Sequence, residues 1–294
     1  MNILDARVRL PQQFREARIG EMRDEYVAQY DAVLQVRSTI AKTLDDLIQE
    51  MKESGVDHAI MHAEYEFGED GDTLNEALAK VISAHTKLFS GFGTISMEHF
   101  RPMRAVQQVS RIRELGFLGV NIQPAFFEMP IDDRKLYPVY AKAAELGLAV
   151  AIHTGINYSM IHPIRNEHPL LLDQVACDFP ELTLIACHGG WPWVPEMVAV
   201  LRKHPNVLMD LGGLSPRYLG VQGAGWEMMY RLANNLLQDQ ILFATDWPVF
   251  PLKRAIAEWK ELSIKPEVLE KVLGSNAKAL FSKIKAEVKK NDNT

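Results

Sequence analysis

The chain has 294 residues, of which 47% are hydrophobic and 24% charged, and its formal net charge at pH 7 is −6. This composition is typical of a globular protein with a full hydrophobic core, and the acidic balance argues against a nucleic-acid-binding surface. No apolar run reaches the roughly 18 residues that a membrane span needs, which argues against a membrane partner.

The N-terminus and the cysteines indicate the cellular compartment. The first residues enter a strand-like run directly, without the apolar segment and cleavage site of a signal peptide. The two cysteines, Cys177 and Cys187, fall in a predicted helix and a predicted strand, so a structural disulfide between them is not expected. The sequence therefore predicts a cytoplasmic protein in a reducing environment.

Strands and helices are predicted to alternate along the whole chain. Apolar runs predict eight strands, at residues 3–10, 56–62, 88–95, 118–123, 148–153, 182–188, 206–210 and 241–246. Apolar residues at helical spacing predict helices at 38–54, 73–86, 101–115, 132–147, 168–179, 193–204 and 224–237, and C-terminal helices over 264–294. Residues 12–36 are predicted to form an excursion over the site.

The number of strand–helix units selects the fold class. An open doubly wound sheet also alternates strands and helices, but it usually has about five or six strands per domain. Eight units without a break in composition predict an α/β fold with a single domain over residues 1–294, a (β/α)₈ TIM barrel. In such a barrel the active site lies at the carboxyl ends of the strands.

Three of the predicted strands end on a side chain that can do chemistry. The runs before His153, His188 and Asp246 are apolar, and a glycine or proline follows each of these residues within two positions. A carboxylate or an imidazole at the end of a buried strand is costly to desolvate unless it is used there. Because the carboxyl ends of parallel strands meet at one rim, we expect the three side chains to form one site.

The first strand carries two arginines on one face. In the segment Asp5-x-Arg7-x-Arg9 alternate residues point to the same side, opposite the apolar residues of the strand. Solvated arginines would be out of place on an inward strand face, whereas a guanidinium group binds a carboxylate in a bidentate manner. We therefore expect Arg7 and Arg9 to recognise an anion, and a purely structural ion pair with Asp246 is the alternative.

Several segments of the chain occur in the order of a known family. They are Asp5-x-Arg7-x-Arg9, Ile152-His153-Thr154-Gly155, His188-Gly189-Gly190, Leu242-Phe243-x-x-Asp246-x-Pro248 and Gly274-x-Asn276-Ala277. In this order the chain resembles the amidohydrolase superfamily, in the branch related to aminocarboxymuconate semialdehyde decarboxylase. The resemblance covers nearly the whole chain and implies a TIM barrel with His153, His188 and Asp246 in its active site.

The first strand departs from the family pattern. The family has His-x-His there, which supplies two ligands to a catalytic divalent metal, whereas this chain has Arg7 and Arg9. An arginine has no lone pair for a metal, and its charge repels a cation. We therefore expect no tightly bound cofactor. If a metal is bound, the resemblance implies zinc held by His153, His188 and Asp246.

Polar and aromatic residues in the neighbouring loops are weaker candidates for the site. Those expected to bind substrate follow the fourth, fifth, seventh and eighth strands: Gln123, Asn157, Tyr158, Arg217 and Trp247. His62 and Glu64 follow the second strand, and each is equally well explained as an ordinary polar loop residue. The acidic segment 64–72 is expected to face solvent.

Together these features predict an enzyme that hydrolyses a small carboxylate-bearing lactone or activated ester with little dependence on a metal. Asp246 is expected to take a proton from water, His153 and His188 to polarise or protonate the carbonyl group, and Arg7 and Arg9 to hold the substrate carboxylate or the developing oxyanion. The alternatives are non-oxidative decarboxylation of an aromatic or muconate-like acid, which the resemblance suggests, and an inactive barrel that binds a ligand. The expected partner is the small-molecule substrate, and a homodimer is a candidate assembly.

Overall fold

Eight parallel strands form the centre of the structure. The computed structural model describes residues 2–15, 31–32, 41–66, 69–159 and 161–291, with 288–291 described for the backbone alone. The strands are β1 (Ile3–Arg9), β2 (Val56–His62), β3 (Phe89–Thr94), β4 (Gly119–Ile122), β5 (Ala149–His153), β6 (Leu184–Cys187), β7 (Val207–Asp210) and β8 (Ile241–Leu242). Each strand pairs in parallel with the next, from β1 through to β8.

A helix follows every strand. These helices are α1 (Leu44–Ser54), α2 (Gly71–Ala84), α3 (Pro102–Glu114), α4 (Tyr137–Glu145), α5 (Leu170–Asp178), α6 (Val194–Lys203), α7 (Glu227–Ala233) and α8 (Leu252–Glu261). Two more, α9 (Pro266–Glu270) and α10 (Asn276–Asn291), follow at the C-terminal end. The predicted (β/α)₈ TIM barrel is confirmed, and within the described residues no helix combines the length and apolarity needed to cross a membrane.

Helices α1 and α4 begin furthest after their predicted starts, for local reasons. Helix α1 begins at Leu44 because Thr43 and Asp46 form a capping box, in which each side chain accepts a hydrogen bond from the other residue's backbone N–H. Helix α4 begins at Tyr137, where a proline in the first turn favours a helix start. Residues 38–40, and most of the predicted excursion at 12–36, lie outside the described residues.

The ladder closes between the first and last strands. Strand β8 is shorter than predicted, because after Leu242 the chain bonds to β1 instead of continuing its ladder with β7. Ala6 N donates to Phe243 O at 2.8 Å, and Asp246 N donates to Arg7 O at 2.9 Å. This contact between backbones brings the ends of β1 and β8 together at one rim.

Small side chains fill the inside of the barrel, and the last helix closes its lower end. Alanines of β1 and β5, and Ala244 after β8, pack with larger residues such as Phe92 and Leu118. Leu280, Phe281 and Ile284 of α10 belong to the same buried cluster. The amino ends of the strands are therefore covered, and the carboxyl ends are the open side of the barrel.

Asp5 joins the two strands that close the barrel. It is fully buried, and its Oδ2 accepts from Thr245 Oγ1 at 2.5 Å. Its Oδ1 accepts from the backbone N–H groups of Thr245 at 3.1 Å and Arg7 at 3.0 Å. Burial nevertheless raises the pKa of Asp5 from 3.8 to about 7.

This raised pKa predicts a specific dependence of stability on pH. Between pH 3.8 and about 7 the folded chain keeps a proton on Asp5 that the unfolded chain releases. The free energy of unfolding should therefore fall as pH rises through this window, by up to about 1.4 kcal/mol per pH unit from this group. Asp5→Asn should remove that part of the slope, measured by urea unfolding at several pH values. Parallel curves for Asp5→Asn and the wild type would contradict this account.

Candidate functional site

A cavity opens at the carboxyl ends of the strands, where the sequence predicts the site. Its polar and charged walls are Arg9, Glu66, Gln123, His153, Asn157, Tyr158, His188 and Asp246. Its apolar walls include Phe126, Ile156, Trp191, Leu214 and Val249. The cavity therefore combines titratable groups with aromatic surfaces, as small-molecule sites commonly do.

Arg7 lies behind the cavity wall and is fully buried. It donates from Nε to Asp246 Oδ1 at 3.1 Å, from Nη2 to Glu64 Oε1 at 2.5 Å and from Nη1 to Asn121 Oδ1 at 3.0 Å. Nη1 also donates to the Sγ atom of Cys187 at 3.3 Å. Each guanidinium nitrogen thus has a partner within the protein, so in this arrangement Arg7 does not contact a substrate as the sequence predicts.

His62 helps to hold Arg7 and does not line the cavity. Burial, and then the charge of Arg7, lower the pKa of His62 to about 3, so the ring is neutral. Its Nε2 donates to Ala6 O at 3.0 Å, which leaves Nδ1 to accept from Arg7 Nη1 at 3.2 Å. The ring stacks on Phe92 with centroids 4.8 Å apart. His62 is therefore a buried support for the first strand.

Asp246 is bound by both arginines of β1. Arg9 donates from Nη2 to Oδ2 at 2.8 Å and from Nε to Oδ1 at 3.1 Å, and Arg7 adds its bond to Oδ1. Burial alone would raise the pKa of Asp246, but the guanidinium groups of Arg9 and Arg7 hold it well below its usual range. Asp246 is therefore an ionised and weakly basic group, and these surroundings do not suit the general base that the sequence suggests.

The predicted exposure of the acidic segment 64–72 is wrong for Glu64 and Glu69, which are both buried. Glu64 is buried and bridges the two arginines, with Oε1 2.5 Å from Arg7 and Oε2 2.9 Å from Arg9. Glu66 pairs with Arg9 at 2.8 Å. Burial raises the pKa of Glu64 to about 7, although Arg9 and Arg7 oppose the shift. Buried guanidinium groups require counter-charges, and this loop supplies them.

His188 follows β6 and lines the cavity. Its Nδ1 donates to the carbonyl oxygen of Gly212 at 2.7 Å, since a carbonyl can only accept. Its Nε2 is buried and has no hydrogen-bond partner among the described residues. Burial, and then the neighbouring His153, lower the pKa of His188 well below its ordinary value. The ring is therefore neutral and presents an unshared lone pair at Nε2.

His153 ends β5, and its ring centroid lies 4.5 Å from that of His188. Its Nδ1 is 2.7 Å from Oε1 of Glu167, although the ring N–H is not well aligned with the oxygen. Glu167 is fully buried, and its other oxygen accepts from Asn157 Nδ2 at 2.6 Å. The sequence reasoning missed Glu167 because it lies in the short 3₁₀ turn Ile164–Glu167, where no pattern marks it.

His188 and Asp246 share an uncommon backbone conformation. Their φ angles are 65° and 56°, and they are two of the four non-glycine residues with positive φ in the described part of the chain. Such conformations cost of order 1–3 kcal/mol and persist where the surrounding structure fixes them. Here the chain turns sharply at the ends of β6 and β8, so that both side chains enter the cavity.

Three of the five loop residues predicted to bind substrate line the cavity. Gln123 and Tyr158 contribute an amide and a phenol to its wall. Asn157 also lines it, but its amide group is engaged by Glu167 and by the backbone N–H of Ser159, which donates to Oδ1 at 3.0 Å. Asn157 therefore organises the loop after β5, and Gln123 and Tyr158 are the more available groups.

The other two loop residues predicted to bind substrate lie away from the cavity. Trp247 is fully buried in the core, because the turn that directs Asp246 into the cavity directs the next side chain inward. Arg217 is exposed, with its guanidinium group 5.2 Å from the ring centroid of Tyr218. The predicted contacts of Trp247 and Arg217 with substrate therefore do not fit their positions.

The residues that the resemblance implies as metal ligands do not fit a metal ion in this arrangement. Both oxygens of Asp246 take guanidinium bonds, and two cationic groups lie directly beside them. The imidazole nitrogens of His153 and His188 would supply two ligands, fewer than the three protein ligands of a usual catalytic zinc site. At this end of the barrel, arginine side chains and not a metal ion therefore bind the Asp246 carboxylate.

Another group of side chains has ligand atoms close enough together to bind a metal ion. Among the described residues one group of three His, Cys, Asp or Glu ligand atoms lies within 4.8 Å, and it consists of Asp173, Cys177 and His204. The ammonium group of Lys203 lies within this group, 3.0 Å from Asp173 Oδ2 and 3.5 Å from Cys177 Sγ. This cluster is therefore an ion-paired link between α5 and α6.

Two curated proteins are similar to this chain. The 2-amino-3-carboxymuconate-6-semialdehyde decarboxylase of Dictyostelium discoideum is 26% identical over 238 residues, which are 69% of this chain and 64% of that protein. The 2-keto-4-carboxy-3-hexenedioate hydratase of Sphingobium sp. is 28% identical over 133 residues, which are 40% of this chain and 39% of that protein. The chain thus spans less than two thirds of the length of either relative.

Solved structures share the fold over nearly the whole chain. An uncharacterized TIM-barrel protein from Bordetella bronchiseptica is 29% identical with a TM-score of 0.77, covering 97% of this chain and 100% of that one. A 5-carboxyvanillate decarboxylase from Novosphingobium aromaticivorans, complexed with manganese, is 19% identical with a TM-score of 0.68 and covers 95% of each chain. The amidohydrolase family model matches residues 28–283, so this chain belongs to the amidohydrolase family.

Proposed function

We propose that this amidohydrolase hydrolyses a small carboxylate-bearing lactone or activated ester without a catalytic metal. The observation that carries the proposal is the Asp246 carboxylate bound by Arg7 and Arg9, where the family resemblance implies a metal ligand. With Asp246 engaged in this way, His153 and His188 are the groups lining the cavity that are suited to carry protons.

Each part of the substrate has a suitable partner in the cavity wall. Arg9 is paired with Asp246, Glu64 and Glu66, but unlike Arg7 it lines the cavity with 25% of its side chain exposed, and this exposed part can meet the oxyanion that forms from the ester carbonyl. Gln123 and Tyr158 can hydrogen-bond the substrate carboxylate without adding charge. His153 and His188 then move a proton from the attacking water to the leaving oxygen.

We propose a reaction without a metal because of the side chains that surround Asp246. The similar proteins do not support this part of the proposal. The decarboxylase that resembles this chain in fold was solved with manganese, so its example does not favour an enzyme without a cofactor. In this chain Arg7 and Arg9 stand where the family has two histidine ligands, and they bind the third potential ligand, Asp246. The guanidinium groups place N–H donors where the family resemblance implies a metal, and their charges are paired with Asp246, Glu64 and Glu66.

Non-oxidative decarboxylation is the second candidate, and the similarity to a curated decarboxylase favours it. The aromatic walls formed by Phe126 and Trp191 suit a planar acid. In this reaction a cavity histidine would protonate the carbon that loses carbon dioxide, and no water oxygen would enter the product. The two reactions can therefore be distinguished by whether oxygen from isotopically labelled water appears in the product.

The reaction is tested with a panel of lactones and of aromatic and muconate-like acids in ¹⁸O-labelled water. Hydrolysis predicts one labelled oxygen in the product and no release of carbon dioxide, because water attacks the ester carbonyl. Mass spectrometry of the product and infrared detection of carbon dioxide give the two readouts. Release of carbon dioxide with no ¹⁸O in the organic product would contradict hydrolysis and indicate decarboxylation. Ligand binding without turnover would favour an inactive barrel.

The two arginines of β1 should behave differently when substituted. Arg7→Met removes the fully buried guanidinium group that Asp246, Glu64 and Asn121 share, so it should lower the free energy of unfolding by about 3–5 kcal/mol. Arg9→Met should remain folded but lose roughly 10- to 100-fold in kcat/KM, the value of a hydrogen bond to a charged group. Urea unfolding and steady-state kinetics measure the two effects.

Arg217→Met is the matched control, because Arg217 lies on the surface away from the cavity. It should keep both the stability and the kinetics of the wild type. The assignment of Arg9 to the oxyanion fails if Arg9→Met is as active as Arg217→Met. Equal stability of Arg7→Met and the wild type would show that Arg7 is not the buried charge centre described here.

A further inference from the structure

We infer that Glu167, held in place by Asn157, is a positioning residue that keeps the proton of His153 on Nδ1 and so makes Nε2 of His153 the base of the reaction. The chemical consequence of this inference rests on the proposed hydrolysis, whereas the geometry behind it does not. Neither residue was expected to act in this way from the sequence.

The contact between Glu167 and His153 fixes where the proton lies. The atoms Oε1 and Nδ1 are 2.7 Å apart, a distance at which two unshared lone pairs would repel each other. We therefore assign the proton of this contact to Nδ1 of His153, although in the present arrangement the ring N–H is not well aligned with the oxygen. Since the hydrogen bond of one ring nitrogen decides the state of the other, Nε2 is left with a lone pair.

Two further contacts restrict the movement of this pair. Asn157 donates to the second oxygen of Glu167 at 2.6 Å, so the carboxylate is held on both sides. The ring of Phe126 packs edge-on against His153 with centroids 5.4 Å apart. The orientation of the imidazole is therefore fixed by three neighbouring side chains before a substrate binds.

The loop after β5 is built to bring Glu167 behind the ring. The backbone N–H of Gly155 donates to the carbonyl oxygen of Glu167 at 3.0 Å, which closes the loop on itself. Gly155 has φ of +120°, and a Cβ there would lie 2.7 Å from the carbonyl oxygen of Trp191. Glycine is therefore required at the point where this loop meets the one that follows β6.

The charge of Glu167 distinguishes His153 from the other proton carriers of the site. Glu167 is fully buried, and His153 is its one ion-pair partner in the described part of the chain. When Nε2 takes a proton, the positive charge on the ring is neutralised by the carboxylate behind it. His188 has only the carbonyl group of Gly212 in that position, and Asp246 is already paired with arginine.

The proposed proton path follows from this arrangement. Nε2 of His153 accepts a proton from water as the water oxygen bonds to the ester carbonyl carbon. The same proton passes to the leaving oxygen as its bond to that carbon breaks. The sum is the addition of one water across the ester bond, without any redox partner. His188, with its unshared Nε2, accepts a hydrogen bond that orients the water.

The test reads the tautomer directly, without a substrate. Protein labelled with ¹⁵N at histidine is studied by long-range ¹H–¹⁵N correlation, which distinguishes protonated from unprotonated ring nitrogens, and His153→Gln assigns the signal. We expect wild-type His153 to carry its proton on Nδ1. Glu167→Gln and Asn157→Ala should shift the population towards the Nε2-protonated form, more strongly for Glu167→Gln because it also removes the charge.

His204, whose Nε2 pairs with Asp173 at 2.7 Å far from the cavity, serves as the internal control and should not change. The inference is overturned if wild-type His153 carries its proton on Nε2, a result that requires no variant to fold. It is also overturned if the His153 signals of Glu167→Gln match the wild type.

Kinetics then separate this inference from the proposed function. With a hydrolysed substrate in hand, Glu167→Gln should lower kcat at least roughly tenfold with little change in KM, because the loss concerns proton transfer and not binding. An unchanged kcat would overturn the inference while leaving hydrolysis intact. The expected tautomer without any hydrolysis would instead overturn the proposed function alone.

Discussion

The buried ion pairs of Arg7 are the interaction on which the rest of the cavity depends. A guanidinium group without solvent requires acceptors for its donors, and Asp246, Glu64 and Asn121 provide them from three different strands or their loops. Removing one member of such a set leaves an uncompensated charge in a region of low dielectric constant. The carboxyl ends of β1, β2, β4 and β8 are therefore held at fixed positions around one cation.

This cation changes what the neighbouring groups can do. Asp246, bound by two arginines, is a poor base and a poor metal ligand, although its position at the end of β8 is the expected one. In the proposed reaction, proton transfer passes to His153 and His188, whose Nδ1 atoms face Glu167 and the carbonyl group of Gly212. The arginines and the histidines thus have different tasks in the proposed site.

Much of this arrangement could be predicted from the sequence. The alternation of apolar strands and helices predicts the barrel, because a buried parallel strand and an amphipathic helix have different periods. The endings of three strands on His153, His188 and Asp246 predict a shared rim, and the centroids of the two histidine rings are indeed 4.5 Å apart. Local patterns therefore suffice wherever the strand itself positions the side chain.

What the sequence could not supply was the pairing of charges across the chain. Glu64 looked like a loop residue, although two arginines on an inward face demand counter-charges and the next loop is the nearest source. Glu167 carries no such hint, because its position behind His153 depends on how the loop after β5 folds back. Such contacts follow from tertiary structure and have no local signature.

We propose that Arg7 and Arg9 occupy the place of a metal. Crystals grown with excess manganese or zinc, with anomalous diffraction recorded at the metal absorption edge, test this proposal. We expect the Arg7 guanidinium group between Asp246 and Glu64, and no anomalous peak within about 2.3 Å of the Nε2 atoms of His153 or His188. A fully occupied metal bound by these nitrogens, with Asp246 released from Arg9, would contradict it.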